Sequence, residues 1–294
     1  MQTATETNSQ SAAGMAAFGF VQELTRELNK GTIELPSFPD IAMKIKRVLE
    51  DENSSADRIA RVVSTEPGLA SRVLKLANSA AYKRGDQAIL DVKRAVGRLG
   101  QAAIRALAIS FAIQNLMDTR SVAALKSHLN DLWNHSVHVA AIAHCLARRT
   151  DDVDPEEAMF VGLIHDVGKL YILTKIEGHP ELFADEDSVN DLMSTWHTAI
   201  GQSIVENWEF APQVIAAVAE HEDTDRRNGG ATDLVDVLCA ANLLCNALED
   251  KSVTEMDFSD YAAFRKVDLT AESFADLMEQ SKEEIAAMMS ALNG

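Results

Sequence analysis

Cysteine is scarce in this 294-residue chain: Cys145, Cys239 and Cys245 are the full complement, and no two form a CxxC pair. So few thiols, odd in number, give neither a disulfide framework nor a thiolate cluster, and all three are expected as buried free thiols. Aromatic residues make up 5% of the chain, and 27 basic residues face 45 acidic ones, for a net charge of −18. That balance opposes non-specific binding to nucleic acid and to anionic membrane surfaces, both of which reward cations. Arg58 with Arg61, and Arg226-Arg227, are the local exceptions. Long apolar runs are missing too; Ala106 to Ile113 falls well short of a bilayer span. Nothing near the N-terminus joins a basic segment to an apolar core, so no secretory signal is read. The expectation is a cytoplasmic protein with neither a nucleic-acid nor a membrane partner. Alternating strand patterns of useful length and repeats of about 20–50 residues are also absent.

What is present is helical periodicity. Residues 1–14 are polar and aperiodic and read as a flexible tail. Phe18, Phe20, Val21, Leu24 and Leu28 form a helical stripe ending at Gly31, and Pro36 and Pro39 break the chain before the next helix. Ser54 and Ser55 are N-cap candidates for a helix carrying Ile59, Val62 and Val63, and Pro67 suits the first turn of the following one. Two apolar helices are read around Ile89–Leu99 and Ala102–Met117. Amphipathic stretches then occupy about 121–149, 155–174, 188–208, 212–221 and 233–248. Thr270 is an N-cap candidate for one or two last helices reaching Leu292. The fold class is all-α, a compact multi-helix bundle. Its parts are the tail, an N-terminal helical half over 15–120, a second half over 121–250, and C-terminal helices over 251–294. The polar segments Asp185–Ser188 and Asp223–Thr232 read as exposed loops.

Metal-capable side chains recur on the later helices. His165-Asp166 stands inside the apolar run Gly162–Leu170, where two such groups are costly without partners. Adjacent helical residues point about 100° apart, so both can converge on one ion at the helix flank. Lys169 follows one turn on, placed to meet an anion such as phosphate. His135, with His138 three residues later, lies on the preceding helix, and later helices bring His197 and His221, the last followed by Glu222. Four helices thus each offer an imidazole or carboxylate, the way bundles build internal metal sites. His128, His144 and His179 fit solvent exposure or a core edge.

Thr65-Glu66-Pro67-Gly68-Leu69, Leu74-Lys75-Leu76-Ala77-Asn78-Ser79-Ala80-Ala81-Tyr82, Ala95-Val96-Gly97-Arg98-Leu99-Gly100, Leu132-Trp133-Asn134-His135-Ser136 and His165-Asp166-Val167-Gly168-Lys169-Leu170 together resemble the HDOD domain family. The likeness covers roughly residues 34–250. It implies an all-α fold of the HD superfamily, usually found in bacterial signalling proteins, many of which lack demonstrated catalysis. It also implies a metal pattern of a histidine, a His-Asp pair and a later aspartate. His135, His165 and Asp166 match; the last position holds Asn242, whose amide brings no charge to a divalent cation. His197 and His221 resemble the second-metal histidines of HD-GYP phosphodiesterases, but Arg226-Arg227-Asn228-Gly229-Gly230 stands where that family has Gly-Tyr-Pro.

Two readings follow. In the first, the chain is a signal-transduction domain with a degenerate metal site that acts on signalling proteins by contact. Asp166, His165, His135 and Asn242 then form a buried hydrogen-bonded network. In the second, a divalent transition metal such as iron or manganese serves a phosphohydrolase acting on a nucleotide or other phosphate ester, with Asp166 and Lys169 catalytic. The helical domain fills nearly the whole length, so any input is expected from a separate protein or a ligand.

Overall fold

A computed structural model describes residues 19–23, 25–26, 40–51, 54–83, 85, 87–118, 123–176, 186–227, 229–252 and 256–293. The expected tail, the helix end at Gly31, the break at Pro36 and Pro39, and His179 lie outside these residues. The elements are α1 (Asp40–Glu50), α2 (Ala56–Val63), α3 (Pro67–Ala77), α4 (Val92–Asp118), α5 (Ala123–Ala147), α6 (Pro155–Ile164), α7 (Val167–Ile176), α8 (Glu186–Asn207), α9 (Pro212–Glu220), α10 (Leu234–Glu249), a 3₁₀ turn (Phe258–Asp260), α11 (Ala262–Lys266) and α12 (Ala271–Asn293). No strand occurs among the described residues, and the chain is all-α.

Local chemistry sets most of the boundaries. Ser55 caps α2 by accepting from the Arg58 amide, and Pro67 opens α3 as its first residue, where a missing N–H costs nothing. Asp154 caps α6, and Asp233 and Asp236 form a reciprocal capping box on α10. The two apolar helices expected around Ile89–Leu99 and Ala102–Met117 meet within α4, which breaks between them where Gly100 takes a non-helical φ of 78° and ψ of 177°. Only glycine enters that region cheaply. By length and composition residues 92–115 could cross a bilayer, with mean hydropathy 1.3, yet 61% of the segment's most apolar window is buried. α4 packs on α1, α2, α3 and α6, the setting of a core helix.

α6 lies at the centre, with every residue from Ala158 to Ile164 buried. It packs on α5 and on α4, while α10 crosses α5 and α7 lies along α8. α12 returns from the C-terminus to close the two halves, packing on α5, α3 and α4. Its last turn leaves carbonyls that no helix N–H can reach. Arg72, only 8% exposed, donates to Leu292 O at 2.8 Å, as does the Ser110 hydroxyl at the same distance. Lys75 donates to Ser290 O at 2.6 Å and Gln114 to Asn293 O at 3.0 Å. Two cations at the negative end of a helix also offset its dipole. Arg72→Met removes a charged donor from buried acceptors and is expected to cost about 2–3 kcal/mol. Urea unfolding monitored by circular dichroism reads this as a lower midpoint at unchanged slope.

Candidate metal centre

Six side chains from five parts of the bundle gather at one centre, with Asp166 in the middle. His135 comes from the middle of α5, His197 from the middle of α8 and Asn242 from α10. His165 and Asp166 are the two residues between α6 and α7, not an internal helix turn as the apolar periodicity suggested. The His165 backbone stays helical, but the ladder is interrupted and Asp166 O accepts from the Lys169 amide at 2.9 Å. His221 occupies the matching place after α9, as its C-cap, with Glu222 next in line.

The tautomers follow from geometry. His165, His197 and His221 each place Nδ1 against a backbone carbonyl, Gly162 O at 2.8 Å, Met193 O at 2.7 Å and Val218 O at 2.9 Å. A carbonyl only accepts, so each Nδ1 carries a proton and each neutral ring presents an Nε2 lone pair. All three lone pairs converge on one carboxylate. His165 Nε2 is 3.3 Å from Asp166 Oδ2, and His197 and His221 Nε2 are each 3.6 Å from Oδ1. His197 and His221 face each other at 3.3 Å, a hydrogen bond only if one ring is doubly protonated. His165 Nε2 and Asp166 Oδ1 are buried without a hydrogen-bond partner. Lone pairs gathered around an ionised carboxylate repel unless a cation stands between them, so the donor set fits a divalent ion.

The same conflict recurs at His135. Its Nδ1 faces Glu249 Oε1 at 3.1 Å, which leaves Nε2 as an acceptor opposite Asn242 Oδ1 at 3.0 Å. Asn242 cannot resolve this by rotating, because its Nδ2 donates to Glu222 Oε1 at 3.3 Å. A flip would set two oxygens against each other. Ligand atoms of His135, His165 and Asp166 lie within 4.8 Å of one another, and so do those of Asp166, His197 and His221. The two triads share only Asp166. A carboxylate with one oxygen toward each triad has the form of a bridge between two ions.

Electrostatics keeps the ligands in their binding forms. Burial pushes His165 down to about 4, against the pull of Asp166, so the ring is neutral. Burial works to raise the Asp166 carboxyl, but His165 and Lys169 outweigh it and hold it well below the usual carboxylate range. Lys169 Nζ donates to Asp166 Oδ2 at 2.8 Å and therefore lies against the carboxylate, on the wall of an open cleft of about 290 Å³ that also touches His128, His135 and Glu249. Glu222 is held down to about 2, first by its hydrogen bond with His197 and then, against burial, by His221.

Glu249 is a participant that the sequence reading passed over, and Glu222 one that it named only as the neighbour of His221. Glu222 Oε1 lies 3.6 Å from both His197 and His221 Nε2, and it supplies the negative charge that Asn242 lacks. The signal was available: His221-Glu222 repeats the His-acid adjacency of His165-Asp166 at a helix end. His138 is half-buried and belongs to neither triad. His144 is 4% exposed rather than at a surface, held between Glu156 and Glu284. Cys145 and Cys239 are buried free thiols pushed up by burial to about 11 and about 12. Cys245, also buried and free, lies 3.6 Å from His135 Nδ1.

Comparison with known proteins gives the following. A model of the HDOD domain family matches residues 35–224. An uncharacterised protein of Treponema pallidum (strain Nichols) is 22% identical over 234 residues, which is 76% of this chain and 44% of that protein. This chain thus spans less than half the length of that curated relative. A crystal structure from Shewanella amazonensis SB2B, provisionally named a metal-dependent phosphohydrolase, superposes with a TM-score of 0.73 at 22% identity, over 95% of this chain and 99% of the other. An HDOD domain protein of unknown function from Geobacter sulfurreducens gives 0.65 at 24% identity, over 92% and 97%. At these identities the likeness is one of fold.

Proposed function

The chain belongs to the HDOD family, and from that premise we propose that it is a metal-dependent phosphohydrolase whose centre holds up to two divalent transition-metal ions. The observation that carries this reading is the convergence of three imidazole Nε2 atoms on Asp166 Oδ1 and Oδ2, with His165 Nε2 and Asp166 Oδ1 buried and without a hydrogen-bond partner. His135, His165 and Asp166, with the Asn242 carbonyl, would hold one ion, and Asp166, His197 and His221, beside Glu222, the other. Iron or manganese suits such a nitrogen and oxygen set. Bound there, the ions supply Lewis-acid polarisation of a phosphoryl oxygen and acidify water.

The protein's own groups do the rest. The backbone carbonyls of Gly162, Met193 and Val218 fix ring orientation and tautomer before any ion arrives. Lys169 holds Asp166 Oδ2 and presents its remaining N–H groups to the cleft, where they neutralise charge on phosphoryl oxygens. Glu222 stays ionised through the ordinary pH range and offsets the charge of the ions. The cleft has room for a phosphate ester, while Asp166 on its wall and His165 behind it stay buried from bulk water.

A second reading is favoured by Asn242. With a neutral amide at that position the chain serves as a signalling domain that meets partner proteins by contact and keeps its ions for stability. One experiment separates the readings: elemental analysis of tag-free protein purified without chelator, followed by assay with a nitrophenyl phosphate ester. Bound iron or manganese with turnover that His165→Ala abolishes supports the phosphohydrolase. Bound metal without turnover of any ester supports the signalling domain. A chain that takes up no ion from excess iron or manganese overturns the metal centre itself.

A further inference from the structure

One member of each basic pair visible in the sequence is neutralised in the fold. Arg226 is spent on Glu220, Asp233 and Asp236, and Arg58 on Asp51. Three further cations without partners among the described residues lie around two adjoining clefts of about 370 and 480 Å³ that share Arg98. The segment leading into the second cleft is fixed by Asn78, whose amide donates to Leu74 O and Ile89 O and accepts from the Ile89 amide, at 2.8, 2.8 and 2.7 Å.

The carboxylates at the first cleft are already occupied. Glu156 accepts from the Tyr82 hydroxyl and lies 3.7 Å from His144 Nε2. Glu284 takes Arg148 Nη1 on both oxygens, at 2.6 and 2.8 Å. Arg98 has no such partner: its Nη1 is buried and makes no hydrogen bond. Lys83, on the first cleft, and Arg94, on the second, also have no side-chain hydrogen bond or ion pair among the described residues. A buried donor on a charged group without an acceptor is costly. Arg94 and Arg98 stand four apart on α4, where like charges repel, and no acidic residue occupies that helix's first turn. On a chain carrying −18, two unpaired cations in the first two turns of one helix, with a third, Lys83, on the cleft that Arg98 lines, lack any internal reason.

We propose that these adjoining clefts form a second ligand site, for a phosphate-bearing small molecule of nucleotide size, gripped by Arg98 with Lys83 and Arg94. Guanidinium groups match phosphate oxygens two at a time, and the cleft volumes fall within the ordinary range for small-molecule sites. The site is separate from the metal centre. α5 carries His135 to one and His144 to the other; nine residues place them about 13 Å apart along the axis and half a turn round it. α6 likewise begins at the second site, with Pro155 and Glu156, and ends beside His165.

The test is calorimetric titration of metal-free protein, at low salt, with pyrophosphate and with AMP. Wild type is expected to bind at least one of these probes, and Arg98→Gln to bind it about tenfold more weakly or worse, the loss of one charged hydrogen-bond donor. Lys169→Gln, which alters only the metal cleft, is expected to bind as wild type does. Equal affinity for the two probes marks recognition of the phosphates alone, and tighter AMP binding adds contact with the nucleoside; either supports the site. Should Arg98→Gln fail to fold, Arg94→Gln and Lys83→Gln, both at exposed positions, carry the test with the same expectation. No heat with either probe at millimolar concentration overturns the proposal, as does affinity unchanged in these cleft variants or lost in Lys169→Gln.

Discussion

Asp166→Ala is expected to empty both triads at once. Every other ligand serves one triad, whereas Asp166 gives Oδ2 to the side of His135 and His165 and Oδ1 to the side of His197 and His221. Removing a hydrogen-bonding partner of a metal ligand already costs about 10- to 100-fold in affinity, so loss of the bridging ligand should exceed that range. His197→Ala should remove one ion and leave His135, His165 and Asp166 able to hold the other. Asn242→Asp should move the opposite way, since a carboxylate at 3.0 Å from His135 Nε2 adds the charge that an amide lacks. Metal content after dialysis, measured side by side on the four proteins, orders them as Asn242→Asp, wild type, His197→Ala, Asp166→Ala. Retention of two ions by Asp166→Ala would sink the shared-bridge arrangement.

Gly168→Ala is expected to destabilise the fold by about 3 kcal/mol or more and to disturb the same centre from behind. α7 and α8 approach so closely that a Cβ on residue 168 would stand 2.0 Å from His197 O, 2.8 Å from His197 C and 2.9 Å from Gly201 N. These are backbone atoms and cannot rotate away. The helices must separate, and the peptide they push on carries His197. A lower urea midpoint should therefore accompany loss of metal from the His197 and His221 side. Gly97→Ala is the matched control, with nothing within 4 Å of the added methyl. In a helix it should be neutral or stabilising by about 0.5–1 kcal/mol. If both substitutions behave alike, the close approach of α7 and α8 is not what requires glycine at 168.

The sequence by itself determined the helical class, and for local reasons. A 3.6-residue apolar period, a serine at 55 able to cap and a proline at 67 fitted to a first turn act within a few residues of chain. It also supplied five metal-capable side chains, because histidine and aspartate are costly in apolar runs without partners: His135, His165, Asp166, His197 and His221 all surround one point. Local pattern does not show where helices stop within a continuous apolar run. The periodicity through 155–174 gave no sign that the ladder breaks at His165-Asp166, whereas the break at Gly100 was legible between two apolar stretches. Glu222 is named in the sequence only as the neighbour of His221, Arg98 only within a family-like stretch and Glu249 not at all, since acids and bases are mostly exposed and single out no partner.

Only the tertiary structure decided which of them meet. His135 and Asn242 are 107 residues apart, and His197 lies 3.3 Å from His221 across another 24. Such contacts depend on how helix faces pack and at what distance, as the absence of any room for a methyl at Gly168 shows. The same packing gave Glu156 and Glu284 their partners and left Arg98 Nη1 with none. Residue types and periods are properties of short segments; convergence belongs to the packed bundle, and with it the difference between a solvated charge and a ligand.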